Sequence, residues 1–315
     1  MLVEKKLEKI AVLVSGGVDS SVALALLKEA GFDVTAFYIK IWLEDELAFL
    51  GDCPWEEDLT FVRAVTEQLS VPLEIVPLQK EYWERVVAAA VQEVQSGRTP
   101  NPDMLCNARI KFGAFWDSIG TKYTKIATGH QVKDQTYFLS QLSRAQLSRT
   151  LFPIGQYTKR EVRALAEKFA LPNAQRKDSQ GICFLGKIPF DEFLRHHLGI
   201  KKGPLVEFET GKRLGQHAGF WYFTIGQREG IGLSGGPWYV VAKDTLTNTV
   251  FISHGEHRAE RARASFIVTE LNWFNEKPED GATLSVKLRH GPKESTCQVQ
   301  SQAPKTLAVF LPPQT

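Results

Sequence analysis

Ser15-Gly16-Gly17-Val18-Asp19-Ser20 decides the fold, because this hexapeptide joins a predicted strand, residues 10–14, to a predicted helix, residues 20–30. Two adjacent glycines let a backbone approach phosphate oxygens closely. The amides at the N-terminus of the following helix point toward such an anion, and the helix dipole adds partial positive charge. The stretch lacks the lysine of a Walker A loop. In this strand–loop–helix context it indicates nucleotide binding, whereas two small residues alone would favour an ordinary glycine-rich turn.

The segments around this loop predict an α/β fold. Further strands are predicted at residues 34–39, 73–76 and 126–128, and they alternate with helices at residues 56–68 and 81–95. Strands separated by helices form a parallel sheet with helices packed on its faces. Thr158 and Glu161 have the spacing of a capping box, which predicts another helix after them.

The sequence changes in character after about Leu198, where glycine and proline become frequent and short β-rich segments appear. Such segments are predicted at residues 220–225, 238–242, 250–253, 282–288 and 306–311. They are typical of small β-barrel or β-sandwich domains. We therefore expect a catalytic domain at residues 1–196 and two smaller domains at residues 197–258 and 259–315.

Composition narrows the function classes. With 315 residues the chain has room for two or three domains of roughly 100–200 residues each. No apolar run is long enough to span a bilayer, and the charged N-terminus does not resemble a secretory signal. The net charge of +2 does not by itself indicate nucleic-acid binding, because the local field matters more. The four cysteines form no C-x-x-C pair, which argues against a zinc ribbon.

Two of the cysteines stand in unusual surroundings. Cys106 follows Asp103, a predicted N-cap, so the helix dipole would lower the pKa of its thiol. Cys183 lies in a polar segment with two upstream cations, where a thiol can be exposed and activated. Each could equally be a buried apolar filler, and the local sequence leaves both interpretations open. Cys53 and Cys297 have no such context and are taken as structural.

Six short motifs occur in one order: S-G-G-V-D-S-S, G-R-T-P-N-P-D-x-L-C-N, A-T-G-H, K-D-Q-T-Y-F-L, K-D-S-x-G-I-C-F and T-I-G-Q-R. This order resembles the tRNA-specific 2-thiouridylases of the MnmA/TRMU type over residues 10–242. Residues 51–58 and 177–187 look most similar to the plant and algal branch. The resemblance implies a PP-loop parallel-sheet domain of the adenine nucleotide α-hydrolase type, a small β-rich central domain and a truncated C-terminal β-barrel.

The resemblance also implies an activity, which is ATP-dependent, AMP-forming 2-thiolation of the wobble uridine of tRNA through a cysteine persulfide. The implied partners are the tRNA anticodon loop and a sulfur-relay protein or cysteine desulfurase, with Mg²⁺ as cofactor and no membrane. We expect a monomer. The location would be the cytoplasm of a bacterium, or a plastid or mitochondrion of a plant or alga.

Residue roles carry over from the same motifs. Cys106 would be the nucleophile, Cys183 the persulfide carrier and Asp103 a general acid or base, while Asp19 would help to hold Mg²⁺. The residues implied to bind ATP are Leu13, Val14, Ser15, Gly16, Gly17, Val18, Asp19, Ser20, Ile39 and Gly129. Those implied to meet the target base are Asn101, Pro102 and Asp103. Those implied to contact tRNA are His130, Lys133, Asp134, Gln135, Arg289 and His290.

The chain departs from the family pattern at one internal point. Only Gln131 and Val132 separate His130 from Lys133, where family members have a longer, variable stretch. Two extended residues reach about 7 Å, which predicts altered strand pairing and an exposed sheet edge. The chain also stops at Thr315 without the last barrel strands of the family. The competing interpretations are a catalytically impaired tRNA-binding form and another PP-loop synthetase that adenylates its substrate.

Overall fold

The computed structural model describes residues 8–41, 55–177, 190–257, 264–288 and 294–312. The chain divides into two compact units. The first comprises residues 1–88 and 102–188, and the second comprises residues 89–101 and 189–315. Among the described residues, we find no helix with both the length and the apolar character needed to cross a bilayer.

The first unit is built on a five-stranded parallel sheet, which confirms the predicted α/β fold. Its strands are β1 (Lys9–Leu13), β2 (Asp33–Lys40), β3 (Leu73–Pro77), β4 (Lys125–Ala127) and β5 (Thr150–Leu151), in the order β3-β2-β1-β4-β5. The chain leaves β1 toward one edge of the sheet and later returns on its other side at β4. Connections therefore diverge above the carboxyl ends of β1 and β4, which opens the crevice where such sheets bind ligands.

Helices cover both faces of this sheet. The first, Val18–Glu29, buries Val22 and Leu24 in the same apolar core as Ile10 and Val12 of β1. The other α-helices among the described residues of this unit are Trp55–Gln68, Gln79–Tyr82, Pro102–Cys106, Phe115–Ile119, Val132–Leu139, Arg144–Ser148 and Lys159–Lys168. A further helix, Ala88–Gln95, begins in this unit and continues into the second. Two π-helical segments, Trp83–Val87 and Asn107–Ala114, continue neighbouring helices.

Helix starts show where sequence patterns succeed and fail. The predicted capping box is confirmed: Thr158 and Glu161 bond to each other's backbone amides at the start of helix Lys159–Lys168. The prediction that Asp103 is an N-cap is wrong, because the helix already begins at Pro102. Proline suits the first helical position, since its φ is fixed near the helical value and it has no N–H to leave unpaired.

The chain forms a helix directly after the short link that follows His130. Helix Val132–Leu139 begins at once, and the side-chain oxygen of Gln135 accepts a hydrogen bond of 2.9 Å from the Gln131 amide. The predicted disruption of strand pairing is wrong, because β4 pairs with β1 on one side and with β5 on the other. The chain needs no excursion here, since it turns directly into a helix that packs on helix Pro102–Cys106.

The second unit contains two four-stranded sheets. The first has the order β7-β6-β9-β8, with β6 (Gly203–Glu207), β7 (Arg213–His217), β8 (Trp238–Asp244) and β9 (Thr249–His254). The other has the order β10-β13-β12-β11, with β10 (Ser265–Thr269), β11 (Thr283–Val286), β12 (Ser295–Ala303) and β13 (Thr306–Phe310). Helix Phe190–Leu198 precedes them. The predicted strand at residues 220–225 is wrong: Phe220–Tyr222 is a 3₁₀ turn whose aromatic rings fill the core.

Residues 89–101 join the second unit through their last residues. Gly97 has a φ of 82°, and a Cβ atom there would lie 2.7 Å from Cγ2 of Thr245. The Thr99 hydroxyl lies 3.1 Å from that of Thr224. The second unit therefore holds the segment that leads to the predicted base-binding motif.

Candidate functional site

The glycine-rich loop lies at the crevice above β1 and β4. Gly16 has a φ of 76°, and a Cβ atom there would lie 2.6 Å from the Asp58 carbonyl oxygen. Gly17 is the N-cap of helix Val18–Glu29 and has no side chain with which to cover the first amides. The Ser20 hydroxyl accepts from the Ser15 amide at 3.2 Å and donates to the Gly17 carbonyl at 3.1 Å. The loop is thus preorganised, with helix amides facing the crevice.

Gly129 closes the other side of the crevice, two residues after β4 ends at Ala127. A Cβ atom at this position would lie 2.6 Å from the Ser20 amide nitrogen and 2.7 Å from the Asp19 carbonyl carbon. Only glycine lets this backbone pass so close to the first helical turn. The structure therefore brings Gly129 together with the loop, although more than a hundred residues separate them in sequence. Ile39 lies partly buried near the end of β2, the strand beside β1.

Asn173 holds the loop from behind, and sequence reasoning missed it. Its side chain is buried, and Nδ2 donates to the Gly16 carbonyl at 2.8 Å and to the Ser21 hydroxyl at 2.9 Å. The residues around it form no pattern that predicts a contact with Gly16, 157 positions away. A buried asparagine that bonds the loop at Gly16 and the following helix at Ser21 fixes the distance between the loop and the segment after helix Lys159–Lys168.

Replacing Asn173 with alanine should lower the free energy of unfolding by about 1–3 kcal/mol, because the Gly16 carbonyl and the Ser21 hydroxyl lose a buried donor. The loop should also bind ATP and AMP more weakly, and by similar factors. Thermal denaturation and equilibrium binding measure the two effects, and Gln175→Ala, an exposed neighbour, is the matched control. Unchanged nucleotide binding by the alanine variant would show that Asn173 does not organise the loop.

Two cations stand beside the loop among the described residues. Lys159 Nζ lies 2.7 Å and 2.8 Å from the two carboxylate oxygens of Asp19. Arg176 bonds to Asp58 and lies over the Phe61 ring, 4.6 Å from its centroid. The sequence patterns did not single out Lys159, and they marked Arg176 only as a cation upstream of Cys183.

Cys106 is buried, with 2% of its surface exposed. It ends helix Pro102–Cys106, and the π-helical segment Asn107–Ala114 starts at the next residue. Such π-helical turns are frequent at functional sites. Cys297 is also buried, and burial raises the pKa of its thiol, which agrees with a structural role in β12. Cys53 and Cys183 lie outside the described residues.

His130 and Gln135, both implied to contact tRNA, already have local partners. His130 Nδ1 lies 2.8 Å from the Thr128 hydroxyl, and its ring packs beside Phe112 and Phe152. Burial, together with the nearby charge of Lys111, lowers the pKa of His130 to about 3. The imidazole is therefore neutral at pH 7 and can act as a hydrogen-bonding group but not as a cation.

The other implied contacts divide between the two units and the undescribed segments. Asn101 is partly buried in the second unit, and Asp103 is partly buried in the first. Lys133 and Asp134 lie in helix Val132–Leu139, and their side chains lie outside the described part of the structure. Arg289 and His290 lie outside the described residues.

Asp19 is the loop's only carboxylate. The described residues contain no group of three His, Cys, Asp or Glu side chains suited to a metal ion. Mg²⁺ usually takes one or two protein carboxylates and completes its shell with phosphate oxygens and water. A single aspartate beside a phosphate-binding loop fits that pattern, so Asp19 could hold Mg²⁺ together with a bound nucleotide.

Family models match most of the chain. The tRNA methyl transferase HUP domain matches residues 8–133 and 131–187, the tRNA methyl transferase PRC-barrel domain matches residues 191–254, and the aminomethyltransferase beta-barrel domain matches residues 263–314. These matches confirm the predicted succession of a PP-loop domain and two β-rich domains. The HUP match comes in two pieces, which meet at the short link between His130 and Lys133.

Curated relatives are similar along nearly the whole chain. A protein of Parabacteroides distasonis named tRNA-specific 2-thiouridylase MnmA is 46% identical over 307 residues, which cover 90% of this chain and 86% of the relative. A relative of that name from Porphyromonas gingivalis is 46% identical over 312 residues, and one named MnmA 2 from Bacteroides fragilis is 44% identical over 306 residues, with the same coverage.

The expected likeness to the plant and algal branch is wrong, because these relatives are Bacteroidetes bacteria. The two short stretches that suggested it contain too few positions to outweigh identity over the whole chain. The family itself is shown by the models and the relatives together. The chain belongs to the tRNA-specific 2-thiouridylase MnmA family.

Proposed function

We propose that this chain uses ATP to replace the 2-oxygen of the wobble uridine of tRNA with sulfur and releases AMP and pyrophosphate. The observation that carries the proposal is the phosphate loop of residues 15–20, which lies against Gly129 at the crevice of a parallel sheet in a chain of this family. A loop that lacks the Walker lysine suits cleavage between the α- and β-phosphates, with ATP bound by the loop and Ile39 lining the adenine pocket.

Adenylation solves a problem of reactivity at the base. The C2 carbonyl of uridine is a poor electrophile, and oxide is a very poor leaving group. Transfer of AMP to that oxygen forms an O–P bond and breaks the α–β bond of ATP, so the oxygen can later depart with AMP. Mg²⁺ beside Asp19 would neutralise phosphate charge. The base has to be splayed out of the anticodon loop to reach such a site, and Asn101, Pro102 and Asp103 would receive it.

Sulfur transfer would use the two cysteines. The terminal sulfur of a Cys183 persulfide attacks C2 and expels AMP, which leaves the base joined to Cys183 by an S–S bond. The Cys106 thiolate attacks the sulfur of Cys183, a Cys106–Cys183 disulfide forms, and the electron pair of the broken bond stays on the sulfur at C2. Alternatively, Cys106 first frees hydrosulfide from the persulfide. Asp103 precedes Cys106 by three residues in helix Pro102–Cys106, and in this proposal it moves a proton at the uridine.

The remaining parts of the reaction follow from the same proposal. A cysteine desulfurase or sulfur-relay protein would load Cys183, and an external thiol would reduce the disulfide after each turnover. The bacterial relatives favour the tRNA of a bacterial cytoplasm over an organelle. We keep the monomer and the domain bounds at residues 1–196, 197–258 and 259–315 as parts of this proposal; the family models match residues 8–187, 191–254 and 263–314, which supports a division into three domains.

The nucleotide product tests this proposal. After incubation with unmodified tRNA and a sulfide source, ATP should give AMP and pyrophosphate, and ADP as the main product would exclude the assignment. Asp19→Asn should reduce the rate of adenylation by about two orders of magnitude or more, because the loss of one preorganised group beside a reacting phosphate has an effect of this size. The control is Asp33→Asn, which removes an exposed carboxylate that lies 3.8 Å from Lys9 Nζ and should leave adenylation unchanged.

A further inference from the structure

The phosphate loop itself has no cation. Residues 15–20 offer amides, hydroxyls and the negative Asp19. Cleavage of the α–β bond builds negative charge on the departing pyrophosphate, and active sites place fixed positive charge where such charge develops. A positive side chain from elsewhere in the fold is therefore expected beside the loop.

The backbone of Lys159 is held in a position from which its side chain can supply this charge. Lys159 is the first residue of helix Lys159–Lys168, whose start is held by the capping box of Thr158 and Glu161. Val162 and Ala166 of the same helix are buried in the core shared with helix Val18–Glu29. The ammonium group lies 2.7 Å from Asp19, at the first turn of the phosphate-binding helix.

Arg176, the other cation beside the loop, is less suited to this role. Its side chain is 17% exposed, against 37% for Lys159. It bonds to Asp58 and lies 3.9 Å from Glu57. A guanidinium held by two carboxylates and stacked on a ring is fixed in place, whereas a lysine on a flexible stem can move from a carboxylate to a phosphate.

We propose that Lys159 binds the β- and γ-phosphate oxygens of ATP and stabilises the departing pyrophosphate, in place of the lysine that a Walker loop carries within its own sequence. In the protein without nucleotide the ammonium rests on Asp19, which keeps both charges compensated. This inference rests on the proposed function, because it concerns a substrate that is cleaved between its α- and β-phosphates.

Nucleotide selectivity tests the role. Lys159→Met keeps the length of the side chain and removes its charge. This change should weaken the binding of ATP and of inorganic pyrophosphate by about tenfold, which is the low end of the effect of losing a charge-assisted hydrogen bond. The affinity for AMP should stay within about twofold of the original value. Lys168→Met, at the far end of the same helix, is the matched control and should bind all three ligands as the unmodified chain does. Equal losses for ATP and AMP, or an equal loss in the control, would overturn the proposal.

A double-mutant cycle separates phosphate binding from mere neutralisation of Asp19. Binding is measured without added divalent cation, so that any metal held by Asp19 does not contribute. If Lys159 binds phosphate, Lys159→Met should weaken ATP binding in the Asp19→Asn background as well. If it only compensates Asp19, the loss should disappear in that background, and the proposal fails.

Unmodified protein that does not prefer ATP over AMP would instead count against the proposed function. Lys159→Arg, which keeps the charge, should restore most of the ATP affinity and shows that loss of fold is not the cause.

Discussion

Replacing Cys183 with serine should abolish sulfur transfer to tRNA and leave AMP formation intact, because the persulfide is needed only after the base has been adenylated. We expect the thiolation rate to fall on the order of a thousandfold or more, as it does when an enzyme loses its covalent nucleophile. Thiouridine in digested tRNA measures the first effect, and AMP release in the presence of tRNA measures the second.

Mass spectrometry identifies the sulfur carrier directly. After treatment with a cysteine desulfurase and cysteine, the peptide that contains Cys183 should carry one extra sulfur. Cys297→Ser is the control, because this cysteine is buried in β12 and its thiol pKa is raised by burial. An extra sulfur on Cys53 or Cys297, with none on Cys183, would refute the assignment.

Cys106→Ser should give the complementary result: Cys183 still becomes a persulfide, but thiouridine is not released. The buried Cys106 sulfur has to become accessible in the complex with tRNA, so its alkylation should be slow in the protein alone and faster when tRNA is bound. This comparison separates a buried structural cysteine, which would stay protected, from a nucleophile that the substrate exposes.

The sequence alone was sufficient for the features that local rules govern. The loop at residues 15–20, the alternation of strands and helices and the capping box of Thr158 are short-range patterns with one strong physical cause each. Contacts such as Asn173 with Gly16 and Lys159 with Asp19 were missed, because they join segments more than a hundred residues apart. The error at residues 220–225 has a related cause, since a short apolar run does not distinguish a strand from a buried turn.

The short link also shows where length arguments mislead. Two residues were expected to disturb the sheet, yet β4 keeps both neighbours because the chain turns at once into helix Val132–Leu139. The alignment with the Parabacteroides distasonis relative extends over 307 positions but covers only 90% of this chain, which is about 284 of its 315 residues. About 23 aligned positions of the relative therefore have no counterpart in this chain. The division of the HUP match at residues 131–133 indicates that the difference lies mainly at this link.

That location is close to Cys106, the proposed nucleophile. Helix Val132–Leu139 packs on helix Pro102–Cys106, and the buried Asn107 side chain donates to the Phe138 carbonyl at 3.2 Å. The extra residues of the relatives would enter just before this helix. Because these residues would stand next to the helix that carries Cys106, we expect them to contribute to tRNA binding there.

Inserting the corresponding stretch of the Parabacteroides distasonis relative between Gln131 and Val132 should therefore raise tRNA thiolation by about tenfold or more, the scale of one to two added phosphate or base contacts. ATP affinity should change by less than about twofold, because Gly129, Asn173 and Lys159 hold the phosphate loop independently of the link. An insert of equal length made of glycine and serine is the control, and it should leave thiolation at its original rate, since chain length without side chains adds no RNA contact. If the chain as it stands thiolates tRNA as fast as the extended one, the short link does not reduce activity and the impaired-form interpretation is wrong.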